Sequence, residues 1–226
     1  MLLPVLTFVS AIVAIAASLL GPAYTTLLFV FKPLTTVLVI AYAWPRGGDA
    51  ARQRRFVRIG LVLSLVGDVC LLWPKEGFLP GLVSFLLAHL AYIAAFCVPL
   101  RLAARPLVFV GYGVVAALIL SLLWPGVPGA LRVPVLGYVV CLATMAAQAA
   151  VWWRSAAGSA EERLARAAAI GGLLFMASDS LLAINRFALP LPFAPLWILA
   201  TYWAAQWAIA SSLRPSHPLE QAREAA

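Results

Sequence analysis

Ile170-Gly171-Gly172-Leu173-Leu174-Phe175-Met176-Ala177-Ser178-Asp179-Ser180-Leu181-Leu182-Ala183-Ile184-Asn185 is an apolar run broken by one carboxylate. With its flanks it has the length of about 20 residues that a helix needs to cross a bilayer. An ionised aspartate inside such a helix costs about 2.5–3.5 kcal/mol even on the gentlest scale, so Asp179 is a functional candidate. The run has an echo. Ile59-Gly60 precedes Asp68 at the same spacing as Ile170-Gly171 precedes Asp179. The reading that follows is a membrane protein with two intramembrane carboxyl groups.

Composition agrees. Of 226 residues, 64% are hydrophobic and 11% charged, against about 45–50% and about 25% in soluble domains. The expected fold is all-α, a polytopic bundle of eight transmembrane helices over residues 1–214, with a loose cytoplasmic tail at 215–226. The net charge of +8 does not indicate nucleic acid. The basic residues lie in short stretches between apolar runs, where topology accounts for them. Cys70, Cys97 and Cys141 are odd in number and lack CxxC spacing, so neither a disulfide framework nor a thiolate metal site is indicated. The N-terminus has no basic segment before its apolar run, which favours a retained helix over a cleaved signal peptide.

Spans are expected at 2–20, 23–43, 56–73, 81–101, 106–124, 132–153, 166–186 and 194–213. Proline and glycine punctuate the breaks, as at Gly21-Pro22, Trp73-Pro74 and Trp124-Pro125-Gly126. Trp44, Trp73, Trp124, Trp152, Trp153 and Trp197 fall at span ends, the position of an interfacial aromatic belt. With a cytoplasmic N-terminus, twelve of the sixteen Lys and Arg residues fall on that side and three (Lys75, Arg132, Arg186) on the other. This bias puts both termini in the cytoplasm, and a bacterial cytoplasmic membrane is the expected setting. The sixteenth, Lys32, lies inside the second span beside Pro33, where a bend is expected.

Depth brings polar residues together. Counted from the non-cytoplasmic end at about 1.5 Å per residue, Lys32, Asp68, His89, Asp179 and Tyr202 fall within about 6 Å of one another. Helical spacing puts His89 with Tyr92, and Tyr202 with Gln206, on shared faces, and Asn185 close to the face of Asp179. Spans three and seven run in the same direction, which is compatible with a parallel four-plus-four repeat. Each of these residues also has a purely structural reading: buried acids and hydrogen-bonding side chains join helices, and Lys32 suffices as a counter-ion. Gly67, Gly171 and Gly172 read as sites of close helix approach. No GxSxG or HExxH occurs. One histidine with two aspartates is thin for catalytic zinc, so no metal and no cofactor is expected.

Lys32-Pro33-Leu34-Thr35-Thr36, Gly67-Asp68-Val69, the stretch from Phe85 to Tyr92 with His89, Ser178 to Asn185, and Tyr202 with Gln206 resemble the successive motifs of the YhhN-like lysoplasmalogenase family. The resemblance spans nearly the whole chain. It implies an eight-span hydrolase that takes a lysophospholipid from the bilayer and cleaves the vinyl ether bond of lysoplasmalogens. The products are a fatty aldehyde and glycerophosphoethanolamine or glycerophosphocholine. Vinyl ether hydrolysis needs an acid to protonate carbon and an anion beside the resulting oxocarbenium ion, a pairing familiar from glycosidases. Asp68 and Asp179 are the expected catalytic pair. Asp179 is assigned the ionised role because Ser178, Ser180 and Asn185 are potential donors, and Asp68 the proton-donor role because its neighbours are apolar. Lys32, His89, Tyr92, Ser178, Asn185, Tyr202 and Gln206 are the expected substrate-positioning residues. Two alternatives use the same groups: a proton-coupled transporter or flippase of a small amphiphile, and a non-catalytic lipid-binding protein. Oligomeric state is open.

Overall fold

A computed structural model describes residues 2–215. Among them are eight α-helices and no strand: α1 (Leu2–Leu20), α2 (Thr25–Ala43), α3 (Ala51–Cys70), α4 (Phe78–Phe96), α5 (Pro106–Leu123), α6 (Arg132–Ala156), α7 (Glu162–Phe187) and α8 (Ala194–Ser211). Most of the tail expected at 215–226 lies outside the described residues. Six helices are long and apolar enough to cross a membrane; α3, with its arginines, and α8, with Tyr202, Gln206 and three tryptophans, are the others.

The boundaries that moved have local causes. α3 begins at Ala51, ahead of the expected 56, because Arg52-Gln53-Arg54-Arg55 are good helix formers. α4 stops at Phe96 instead of 101, since Pro99 biases the residue before it away from helix. Its early Pro80 is tolerated because the first turn has no backbone acceptor to lose. α7 starts at Glu162, whose carboxylate suits a helix N-terminus. α2 continues on both sides of Pro33.

Alongside a buried aromatic and aliphatic core, the peripheral helices turn small and polar residues inward and large apolar ones outward. α1 turns Thr7, Ser10, Ala14 and Ala17 inward while Phe8 is 68% exposed, and α5 buries only Ala116 and Leu123 while Leu107 is 83% exposed. Such surfaces suit lipid contact, where small inward residues let helices pack closely. Ser10 and Thr35 then join α1 to α2 through a hydroxyl bond of 2.8 Å. Of the six belt tryptophans, Trp44, Trp73, Trp153 and Trp197 are exposed. Trp152 instead points inward against Phe96 and is 3% exposed.

α3 packs most extensively on α4, and α7 on α8. Glycine sets both contacts. A Cβ at Gly60 would stand 2.3 Å from the Tyr92 ring, and one at Gly171 would stand 2.7 Å from Ile209. Gly67 lies against Phe85, and Gly172 against Ala146 of α6, in the same way. Tyr92 is fully buried and hydrogen-bonded to Gln206, so its ring cannot yield. Gly60→Ala is therefore expected to destabilise the bundle by about 1–3 kcal/mol, read as a lower melting temperature in detergent; an unchanged melting temperature would contradict this packing.

The loops gather at two ends. At one, Arg214 after α8 forms ion pairs with Asp49 (3.1 Å) and Glu161 (3.4 Å), and Gly47 N–H donates to the Arg214 carbonyl at 2.9 Å. At the other, Arg186 at the end of α7 donates to the Pro74 carbonyl at 3.3 Å. Gly126, after α5, packs against the Phe187 carbonyl there.

Candidate active site

Between the helices, towards the end marked by Arg186, lies a cavity of about 550 Å³ to which all eight helices contribute. Its wall is mostly apolar, from Leu28, Phe85, Leu142, Met176 and Leu199 among others. Among the described residues, four charged side chains line it: Lys32, Asp68, Asp179 and Arg186. Both aspartates of the sequence echo therefore reach one space, although they stand on different helices.

Asp68 is built into a web of donors. On α2, Thr36 lies one turn beyond Lys32 and donates its hydroxyl to Asp68 Oδ2 at 2.6 Å. From α8, the Tyr202 hydroxyl donates to the same oxygen at 2.7 Å. Each donor is itself supplied: Trp203 Nε1 donates to Thr36 at 3.2 Å, and Gln206 Nε2 donates to the Tyr202 hydroxyl at 3.2 Å. Tyr92 then donates to Gln206 Oε1 at 2.7 Å. Every proton in this chain points towards Asp68. Lys32, 8% exposed, adds the field of a nearby cation without an ion-pair contact among the described residues. A buried carboxylate surrounded in this way has its desolvation offset by charge-assisted bonds and by an opposite charge.

Asp179 has a sparser environment. Tyr138 of α6 donates to its Oδ2, and that is its single hydrogen bond among the described residues. None of the donors expected from its own helix bonds to Asp179 among the described residues. The Ser178 hydroxyl donates to the Ile198 carbonyl of α8 at 3.0 Å, and that of Ser180 to the Met176 carbonyl one turn back at 2.6 Å. Such back-bonding to the carbonyl four residues earlier is the usual fate of a mid-helix serine. Asn185 Oδ1 accepts from Leu191 N–H at 2.9 Å and so holds the chain that leaves α7. Asp179 thus accepts one hydroxyl bond, from another helix, and Asp68 accepts two.

Lys32, Ser178, Asn185 and Tyr202 line the cavity beside the two aspartates. His89, Tyr92 and Gln206 do not; they form a layer behind its wall. Tyr92 and Gln206 reach the site through Tyr202. His89 is fully buried, neither ring nitrogen has a hydrogen-bond partner among the described residues, and its ring meets Phe175 and Tyr138 edge-on. Sequence reasoning missed Tyr138 and did not single out Thr36. Signals existed for both: Tyr138 stands about six residues into its span, in the layer of the other polar groups, and Thr36 is four residues from Lys32 on one helical face.

The arrangement can give one proton and hold one anion within an apolar pocket large enough for part of a single-chain lipid. A model of the YhhN family matches residues 27–213. The human protein named lysoplasmalogenase TMEM86B is 36% identical over 192 residues, which cover 83% of this chain and 76% of the human one. Bovine (Bos taurus) lysoplasmalogenase TMEM86A is 34% identical over 173 residues, covering 73% and 68%. The lysoplasmalogenase of Mycobacterium bovis is 31% identical over 172 residues, covering 70% and 59%. No solved structure matches. From residue 27 to residue 213, through both aspartates and the donors around them, the chain belongs to the YhhN family.

Proposed function

We propose that this chain is a lysoplasmalogenase, a membrane hydrolase that cleaves the vinyl ether bond of a lysophospholipid to a fatty aldehyde and a glycerophospho-alcohol. The observation that carries the reading is the unequal provision of two carboxyl groups in one apolar cavity. Asp68 accepts two hydroxyl bonds beside Lys32, whereas Asp179 accepts one. Hydrogen bonds and an opposite charge favour the ionised form of a carboxyl, and burial without them favours the protonated form. The roles are thus the reverse of those drawn from sequence: Asp68 is the anion and Asp179 the acid.

Asp179 gives its proton to the vinyl carbon distal to the ether oxygen. Positive charge then appears on the adjoining carbon and the oxygen, where the Asp68 carboxylate stabilises it. Water adds to that carbon, its surplus proton returns to Asp179, and the hemiacetal separates into aldehyde and alcohol. Fixed charge placed where charge develops is the larger part of such catalysis, because the apolar wall excludes competing water. The hydrocarbon chain lies along the cavity's apolar side. With the arginine-rich end in the cytoplasm, the cavity lies towards the opposite face of what we take to be a bacterial cytoplasmic membrane.

Detergent-purified protein incubated with lysoplasmalogens and with the corresponding ester lysophospholipids is expected to release fatty aldehyde from the former alone. Fatty acid from the ester lipids would refute the reading. So would unchanged lipid carried across proteoliposomes, which would make the protein a transporter.

A further inference from the structure

Of the two cations that line the cavity, Lys32 lies deep and beside Asp68, whereas Arg186 stands exposed on the last turn of α7. Its guanidinium carbon is 3.7 Å from the centroid of the Phe78 ring and 5.7 Å from that of Phe187, and Nη1 donates to the Pro74 carbonyl. Stacking and one hydrogen bond fix the plane of the group. They occupy one of its five N–H donors. Among the described residues, no carboxylate forms an ion pair with it. An oriented cation with donors to spare, at the edge of a cavity that holds two acids, is suited to an anion and above all to phosphate, which its fork binds bidentately.

Spacing ties this cation to the chemistry. Residues 179 and 186 are seven apart on one helix, which is close to two full turns, so both face the cavity about 10 Å apart along the axis. The extended glycerol chain between a vinyl ether oxygen and its phosphate, with a hydrogen-bond length at each end, covers such a span. We propose that Arg186 binds the phosphate of the lysophospholipid headgroup and thereby sets the vinyl ether beside Asp179. The inference rests on the lysoplasmalogenase reading and adds the residue that measures the substrate's length.

The test compares 1-alkenyl-glycerophosphoethanolamine with 1-alkenylglycerol, which lacks phosphate, in wild type, Arg186→Gln and Arg186→Lys. Arg186→Gln is expected to raise KM for the phospholipid roughly tenfold with kcat within about twofold, and to leave KM for alkenylglycerol unchanged. Arg186→Lys should fall between, because it keeps the charge and loses the fork. An equal loss on both substrates would make the bond to Pro74 the residue's whole role, and an unchanged KM would remove the anchor; either overturns the proposal. Thermal stabilisation by lysophosphatidylethanolamine, an ester lipid with the same headgroup, reads the anchor without turnover. The variant should need roughly tenfold more of it while its response to monoacylglycerol stays as in wild type, and equal responses of variant and wild type to both lipids would also overturn it. A wild-type protein that releases no aldehyde, yet shows this difference in stabilisation, would refute the lysoplasmalogenase reading and leave the phosphate site standing.

Discussion

Asp179→Asn is expected to abolish aldehyde release, a loss of at least about 10³-fold in kcat, near the upper range of what a positioned general acid contributes. The amide is nearly isosteric, so the cavity and the folded state survive, and lipid binding persists. What disappears is the one proton placed to reach the vinyl carbon. Tyr138→Phe is the companion test. It removes the hydroxyl bonded to Asp179 and leaves the carboxyl group in place, so its loss should be smaller, on the order of tenfold in kcat with KM little changed. If Asp179→Asn retained near wild-type turnover, the acid would have to be sought elsewhere.

Asp68→Asn has a different signature. It is expected to lower kcat by about 10²–10³-fold, the scale seen when a group stabilising transition-state charge is removed. It should also lower the melting temperature. The amide replaces an acceptor on which the Thr36 and Tyr202 hydroxyls converge and leaves Lys32 buried without the opposite charge nearby, which disfavours the folded state. Kinetics with melting curves on both asparagine variants separates the roles. Asp179→Asn loses turnover and keeps stability, whereas Asp68→Asn loses both. The reverse pattern would restore the assignment drawn from sequence.

Much of this was legible in the residues alone. Hydropathy and proline placement located eight helices, because apolar length and missing backbone donors act locally. The two aspartates stood out through the cost of burying them. Their convergence followed from counting depth along helices of fixed rise, and Tyr202 with Gln206 from helical spacing. Hydroxyl direction was not legible. Ser178 and Ser180 flank Asp179 in sequence, yet each finds a backbone carbonyl, and the hydroxyl that reaches Asp179 comes from Tyr138, 41 positions away. Asn185 likewise serves the turn after α7. Which of two carboxyl groups is supplied with donors depends on neighbouring helices, so sequence proximity did not show where the donors lie. Trp152 shows the same limit: its span-end position indicated an interface, and packing against Phe96 turned it inward. Arg186 counted towards topology by its charge, and only its stacking on Phe78 at the cavity edge marked it as a ligand for substrate.

The most direct measurement of the central claim is the isotopic content of the product. Purified protein is given lysoplasmalogen in heavy water, and the fatty aldehyde is analysed by mass spectrometry. Proton transfer to carbon by an exchangeable acid predicts an aldehyde bearing one deuterium, on the carbon next to the carbonyl, formed by wild type and not by Asp179→Asn. Aldehyde without deuterium at that carbon, or equal labelled product from the variant, would contradict protonation of the vinyl ether by Asp179.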